Sequence, residues 1–281
     1  MLAAPLSVKA ATPLPIAELV RGKPVEEVAA LLPRVFNLCR EAQGVAVRLA
    51  LGLDVDAGGL GKEIVRDHLL RLGLILPKMA GLPTLPVARG PETLWGEGCP
   101  QTVPALKHLM RSGEGLGPLL QTVKETFLPG EACASLAPVT EWTALETRPL
   151  ENSVAQRRSG HPLMLALESA LGRGPLWRLV GRMLDLDACL KGHLPKARRL
   201  GVDAAMVPAA RGSYAIRLIC EGGHVQALTR VTPTDHLLAR GGVMDQCLGS
   251  LRPENQGLAP LVVEILDPCT PVELEGGSLH A

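Results

Sequence analysis

The stretch "EILDPCTPVEL", Glu264 to Leu274, decides how this chain is read. The apolar run that leads into it, Leu261 to Leu266, has the length and β-branched content of a buried strand. The run stops at Asp267-Pro268 and presents Cys269 at once. Proline restricts the residue before it to extended backbone, and Pro271 follows closely, so Cys269 is expected in a stiff turn. Such a turn either positions a ligand or merely reverses the chain, and what faces it decides between the two.

Composition narrows the field. A chain of 281 residues buries a sizeable core, and its formal charge of +1, with acids and bases interleaved, steers it toward neither nucleic acid nor a membrane surface. Aromatic residues make up 2%, too few for a base-stacking platform. Seven cysteines, an odd number without a disulfide spacing, point to free thiols in a reduced compartment. Residues 1–15 lack a charged stretch followed by an apolar one, and "LLRLGLILP" is too short to span a bilayer. A cytoplasmic protein with no nucleic-acid or membrane partner is expected.

Apolar periodicity marks helices. Val25, Val28, Ala29 and Leu32 form one face, and Pro33 suits the first turn of a second helix. That second helix carries Val35, Leu38, Cys39, Ala42, Val45, Ala46 and Leu49 on a core stripe and ends at Gly52. A third runs from Lys62 to Leu76 with His68 inward and Pro77 as its stop. Residues 77–160 are rich in Pro and Gly, with one helix at Leu116–Phe127; helices resume at Pro162–Leu171 and Pro175–Leu190. "SYAIRLIC" and "VQALTRVT" flank "EGGH", a hairpin signal because glycine tolerates positive φ. A short helix near Val243–Leu251 precedes the strand Leu261–Leu266. The expectation is one α+β domain over 1–281, helical across 20–200 and β-rich across 205–275, with N-terminal helices packed on the C-terminal hairpin and strand.

Several motifs carry no chemistry. "GGLGK", Gly58 to Lys62, lacks the Ser/Thr and the preceding strand of a phosphate loop. "DVDAGG" lacks the later ligands of a calcium loop. His68 on an apolar stripe reads as a satisfied core histidine. No G-x-S-x-G is present. Cys99, Cys133, Cys189, Cys220 and Cys247 have no partner at metal-ligand spacing and read as small buried hydrophobes.

Two motifs taken together carry a resemblance. "RVFNLCREAQGVAVRLALG", Arg34 to Gly52, resembles the N-terminal active-site motif of nickel–iron hydrogenase large subunits, R-I-C-G-V-C-x-x-x-H-x-x-A. "DPCTPVEL" resembles their C-terminal D-P-C-x-x-C-x-x-H. In the right order between them, "VRDHLL" at Val65–Leu70 resembles a D-H helix, "PAARG" at Pro208–Gly212 the A-P-R-G segment, and "RVTPTDHLLARGG" the V-P-S-T-W-N stretch. The family uses four cysteines, two per motif, to hold nickel and an iron bearing two cyanides and one carbon monoxide. Here Phe36 stands at the first N-terminal cysteine position and Gln43 at the histidine, while Cys39 keeps the iron-bridging position. Cys269 keeps the first C-terminal position, Val272 replaces the second, and Glu275 stands at the last histidine.

The resemblance therefore implies a degenerate large-subunit-like fold without a nickel site and without hydrogen turnover. Soft thiolates suit low-spin iron, so Cys39 and Cys269 are the expected metal ligands, for an Fe(CN)2CO fragment held transiently. Arg211 and Arg240 are candidate donors toward the cyanide nitrogens. The pattern resembles the HupK/HoxV group of hydrogenase accessory proteins, which implies hydrogenase maturation proteins and the large-subunit precursor as partners. Two other readings stay open: a metal-free chaperone or interaction module for the precursor, and an enzyme with a catalytic thiol, for which no base is visible. A thiol kept in each motif favours the iron scaffold.

Overall fold

The structure, a computed structural model, describes residues 6–36 and 38–276. The flanks of the expected 1–281 domain, and Asn37 within the first motif, lie outside the described residues.

Among the described residues six strands form two sheets. β1 (Ser7–Ala10) pairs antiparallel with β6 (Val272–Glu275). β2 (Arg198–Arg199), β3 (Ala204–Ala209), β4 (Gly212–Glu221) and β5 (His224–Val231) form an antiparallel sheet in that order. The β4–β5 hairpin turns on Gly222 at φ 56 and Gly223 at φ 78, the left-handed pair that a two-residue hairpin turn requires. The inner face of this sheet (Val207, Tyr214, Ile216, Leu218) packs against the helices Val25–Val35 and Arg40–Leu51, which supply Val28, Leu32, Val45 and Ala46. The expected packing of N-terminal helices on the C-terminal hairpin is therefore present.

A second and larger core surrounds the helix Pro175–Leu190. Its residues from Pro175 to Leu186 are all buried, the signature of a helix wrapped on every side. Helices Val103–Ser112, Gly117–Thr126, Pro162–Leu171, Val243–Gly249 and Ala259–Leu266 contribute to the same cluster. Burying a leucine such as Leu179 or Leu186 in it stabilises by about 2 kcal/mol each.

The structure corrects several expectations. Leu261–Leu266 is not a strand: it belongs to the helix Ala259–Leu266, buried at Leu261, Val262, Val263 and Ile265. A run that is apolar throughout has no period to separate strand from helix, and Pro260 in the first turn starts a helix readily. The actual strand lies later, in β6. Because the helices Pro233–Leu237 and Val243–Gly249 accompany it, the section 205–275 is mixed rather than β-rich.

Pro33 closes a helix instead of opening one. The first helix runs Val25–Val35, with Pro33 in its last turn and the ring against Gly44 of the next helix. The next helix starts at Arg40, so Cys39 leaves the expected core stripe and becomes the N-cap residue. Pro77 does not stop the third helix. Helix Leu60–Leu70 continues through a wide π turn, Arg71–Ile75, into Leu76–Met79. A proline clashes with the carbonyl four residues back, and here that carbonyl, on Gly73, turns to accept the Leu85 amide at 2.7 Å. Finally, the "loop-rich" section holds the helix Val103–Ser112, capped by Thr102 accepting from the Ala105 amide at 3.3 Å.

Candidate functional site

Cys39 and Cys269 line one cleft of ≈ 200 Å³. It lies where the sheet, the Arg40–Leu51 helix and the "DPCTP" turn meet, and its size exceeds more than tenfold the ~15 Å³ that one water needs. Phe36, Gln43, Arg211, Tyr214 and Arg230 supply the rest of its polar and aromatic wall.

Local structure delivers each thiol. Cys269 follows the Ala259–Leu266 helix, which ends when Asp267 adopts the left-handed conformation at φ 58. This corrects the extended backbone expected of the residue before Pro268; the left-handed conformation is unusual outside glycine, with Asp among the tolerant residues. The Cys269 amide then donates to Thr234 Oγ1 at 2.8 Å, pinning the turn to the segment after β5. A helix, not a strand, thus presents this cysteine. Cys39 sits at the N-cap of Arg40–Leu51 with no cap bond of its own. Glu63, from the neighbouring helix, caps instead by accepting from the Glu41 amide at 2.7 Å and the Ala42 amide at 3.2 Å. Burial raises the Cys39 pKa above its ordinary value, the Gln43 hydrogen bond opposes this, and negative charge at Cys269 and Glu63 adds to the rise.

Arg211 lies at the β3–β4 corner, buried, and its charge is fully answered. Its Nε donates to Asp267 Oδ1 at 2.9 Å and its NH1 lies 3.4 Å from Asp67 Oδ1. Burial alone would lower its pKa; Asp267, Asp67 and Cys269 together hold it raised. Asp267 also accepts from Arg182 at 2.8 Å and Arg71 at 2.6 Å, while Glu264 takes the other end of Arg71 at 2.6 Å. Three arginines therefore meet three carboxylates: Asp267, Asp67 and Glu264.

Beyond Arg182 the network continues to His68, which is fully buried. His68 Nε2 lies 2.9 Å from Asp185 and its Nδ1 3.2 Å from Arg182. Only the neutral ring with its proton on Nε2 donates to the carboxylate and accepts from the guanidinium. Burial lowers its pKa accordingly. It is the satisfied core histidine that the sequence suggested.

The remaining wall carries unsatisfied polar atoms. Gln43 Nε2 donates to Cys39 Sγ at 3.5 Å, but Gln43 Oε1 and Tyr214 Oη are buried without a partner among the described residues. Both side chains are 1% exposed. Arg230 lies over the Phe36 ring, 4.4 Å from its centroid. Arg240, the sequence candidate, is exposed and lies outside the cleft wall. Asp267, Thr234, Tyr214 and Arg230 were not singled out from sequence. Tyr214 left one signal, being the single tyrosine of an aromatic-poor chain.

Of the other cysteines, Cys99, Cys189 and Cys247 are buried as expected, with thiols pushed up by burial to about 12, about 11 and about 12. Cys133 is half-buried. Cys220 is exposed on β4, which corrects its reading as a buried hydrophobe. Among the described residues no group of three or more His, Cys, Asp and Glu is placed to hold a metal ion, and no helix is long and apolar enough to cross a membrane.

A two-thiol cleft at this position in this fold defines a class. The fold matches the Ni-Fe-Se hydrogenase of D. vulgaris Hildenborough with a TM-score of 0.59 at 12% identity, covering 92% of each chain. It matches that of Desulfomicrobium baculatum with a TM-score of 0.59 at 11% identity, covering 94% of this chain and 96% of the other. The α+β hydrogenase large-subunit fold implied by the motifs is thus the fold present. No family model matches the chain. In sequence, the chain is 47% identical over 271 residues to the hydrogenase expression/formation protein HupK of Rhodobacter capsulatus, covering 94% of this chain and 90% of the relative. The chain belongs to the HupK family of hydrogenase expression/formation proteins.

Proposed function

We propose that this protein is a scaffold of hydrogenase maturation that holds or relays an Fe(CN)2CO fragment between Cys39 and Cys269 on its way to a large-subunit precursor. The observation that carries this reading is a cleft with two thiols, no third protein ligand among the described residues, and two orphaned buried polar atoms. A bare transition-metal ion in a structural site wants about four protein ligands. An iron that arrives with three diatomic ligands of its own needs fewer, and the donor set here fits such a cargo. Soft thiolate sulfur suits it as well.

The chain's own residues do the following. Each thiol surrenders its proton on loading, because the thiolate is the ligand. The Gln43 carboxamide nitrogen already donates to Cys39 Sγ at 3.5 Å, a bond that strengthens when the sulfur is a thiolate. Arg211, tied to Asp267 and Asp67, fixes the wall beside Cys269 instead of bringing free charge to it. Maturation proteins and the precursor are the partners this reading requires.

The test is an infrared spectrum of the protein isolated from cells that express the maturation machinery. Cyanide and carbonyl stretches are expected in the parent and absent in Cys39→Ala. Undiminished bands in that variant, or none in the parent, refute the reading.

A further inference from the structure

Arg230 differs from Arg211, the other arginine of the cleft wall. Arg211, with Arg71 and Arg182 behind it, is matched by Asp267, Asp67 and Glu264. The Arg230 side chain has no ion pair or hydrogen bond among the described residues; its guanidinium lies over Phe36, 4.4 Å from the centroid, and lines the cleft. A stacked guanidinium keeps its N–H edge free for an acceptor. Beside it Tyr214 presents a hydroxyl that is buried and unpartnered, within electrostatic reach of both Arg230 and Cys39. A buried O–H without an acceptor costs roughly 1–3 kcal/mol, a cost that a ligand acceptor removes.

We infer that Arg230 and Tyr214 form the anion-recognition pair of the cleft, donating N–H and O–H to the terminal nitrogens of cyanide-type ligands. The inference rests on the scaffold reading for its natural ligand. Charge supports it: ferrous iron, two cyanides and two thiolates sum to a dianion, and Arg230 is the cation on the cleft wall with no carboxylate of its own among the described residues. Phe36, which stands where the resemblance puts a cysteine, is then not an empty replacement: it is the platform that holds Arg230 in place.

The test uses thiocyanate, a linear anion with a nitrogen terminus and its own infrared stretch, titrated into the purified full chain. Tyr214→Phe and Arg230→Gln are each expected to weaken its binding about tenfold and to move the bound stretch back toward its free position. Arg230→Lys is expected to recover part of the affinity but not the stretch, since lysine lacks the planar fork. Tyr214→Phe removes a buried hydroxyl with no partner, so its melting temperature is expected to equal or exceed the parent's, separating recognition from folding. Equal binding by parent and variants, or no binding by the parent, overturns the pair. If the protein from maturation-competent cells carries no cyanide bands while thiocyanate binding still depends on both residues, the pair stands and the scaffold reading falls.

Discussion

Arg211 Nε lies 2.9 Å from Asp267 Oδ1, so the corner between β3 and β4 is bonded directly to the turn that carries Cys269. Arg182 and Arg71 close on the same carboxylate. Replacing Asp267 by Asn keeps the shape and removes the charge from beneath three cations, of which Arg182 and Arg211 are buried. Breaking one side of a buried ionic cluster costs about 3–5 kcal/mol. Asp267→Asn is expected to lose that much in urea unfolding; a loss below about 1 kcal/mol would mean that the arginines find other partners.

His68 sets a pH dependence. Its folded pKa is lowered, first by burial and then by Arg182, although the Asp185 hydrogen bond opposes this. The unfolded chain therefore binds more protons below about pH 6.5. The stability due to the neutral ring is full above that pH and is lost as pH falls toward the folded pKa. His236, also lowered by burial, acts in the same window. The melting temperature is expected to drop on acidification from about pH 7.5 to about 5.5. His68→Asn, which still offers one donor and one acceptor, is expected to shrink the drop without abolishing it.

Cys39 is expected to be slow toward alkylating reagents at neutral pH, because its pKa is raised by burial and by the negative groups at Cys269 and Glu63. Labelling followed by peptide mass spectrometry over a pH series should place its midpoint above the ordinary 9.0. Glu63→Gln keeps one of the two acceptors that serve the Glu41 and Ala42 amides and removes the charge, so the midpoint should move down. A midpoint that stays put would show that burial alone sets it.

Gly212 follows Arg211 at φ 151, and a Cβ there would sit 2.3 Å from the Asn152 carbonyl oxygen. Backbone meets backbone, so no side chain can swing away. Gly212→Ala is expected to cost at least about 2 kcal/mol and to pull Arg211 off Asp267, lowering the melting temperature. A variant as stable as the parent would mean that the β3–β4 corner yields.

Cys269→Ala separates ligand from packing. Its amide, not its sulfur, makes the bond to Thr234, so the turn is expected to survive with a near-parental melting temperature while iron content falls sharply.

The two thiols were legible as a pair only through the resemblance of the two motifs that carry them; taken alone, Cys39 reads as one more residue of a core stripe. The hairpin was legible because Gly222-Gly223 has one geometric use between alternating runs. Leu261–Leu266 was not, since an apolar run buried on all sides looks the same in either secondary structure. For a related reason Arg230, which lines the cleft while Arg240 is exposed outside its wall, was not singled out. Spacing along the chain places an arginine near a motif, but the pleat of β5 decides which face it reaches. Asp267 looked like a spacer before proline, and its role as an anion for three arginines exists only once Arg71, Arg182 and Arg211 converge from distant segments.

The pairing of β1 with β6 has a temporal side. Residues 7–10, among the earliest described, find their partners only in residues 272–275. During synthesis an early segment waits, unpaired, until nearly all of the described chain has left the ribosome. Cys39 emerges early and Cys269 late, so a stalled or truncated product that ends before the final turn holds only one of the two thiols, and a half-made copy cannot offer any ligand the complete wall.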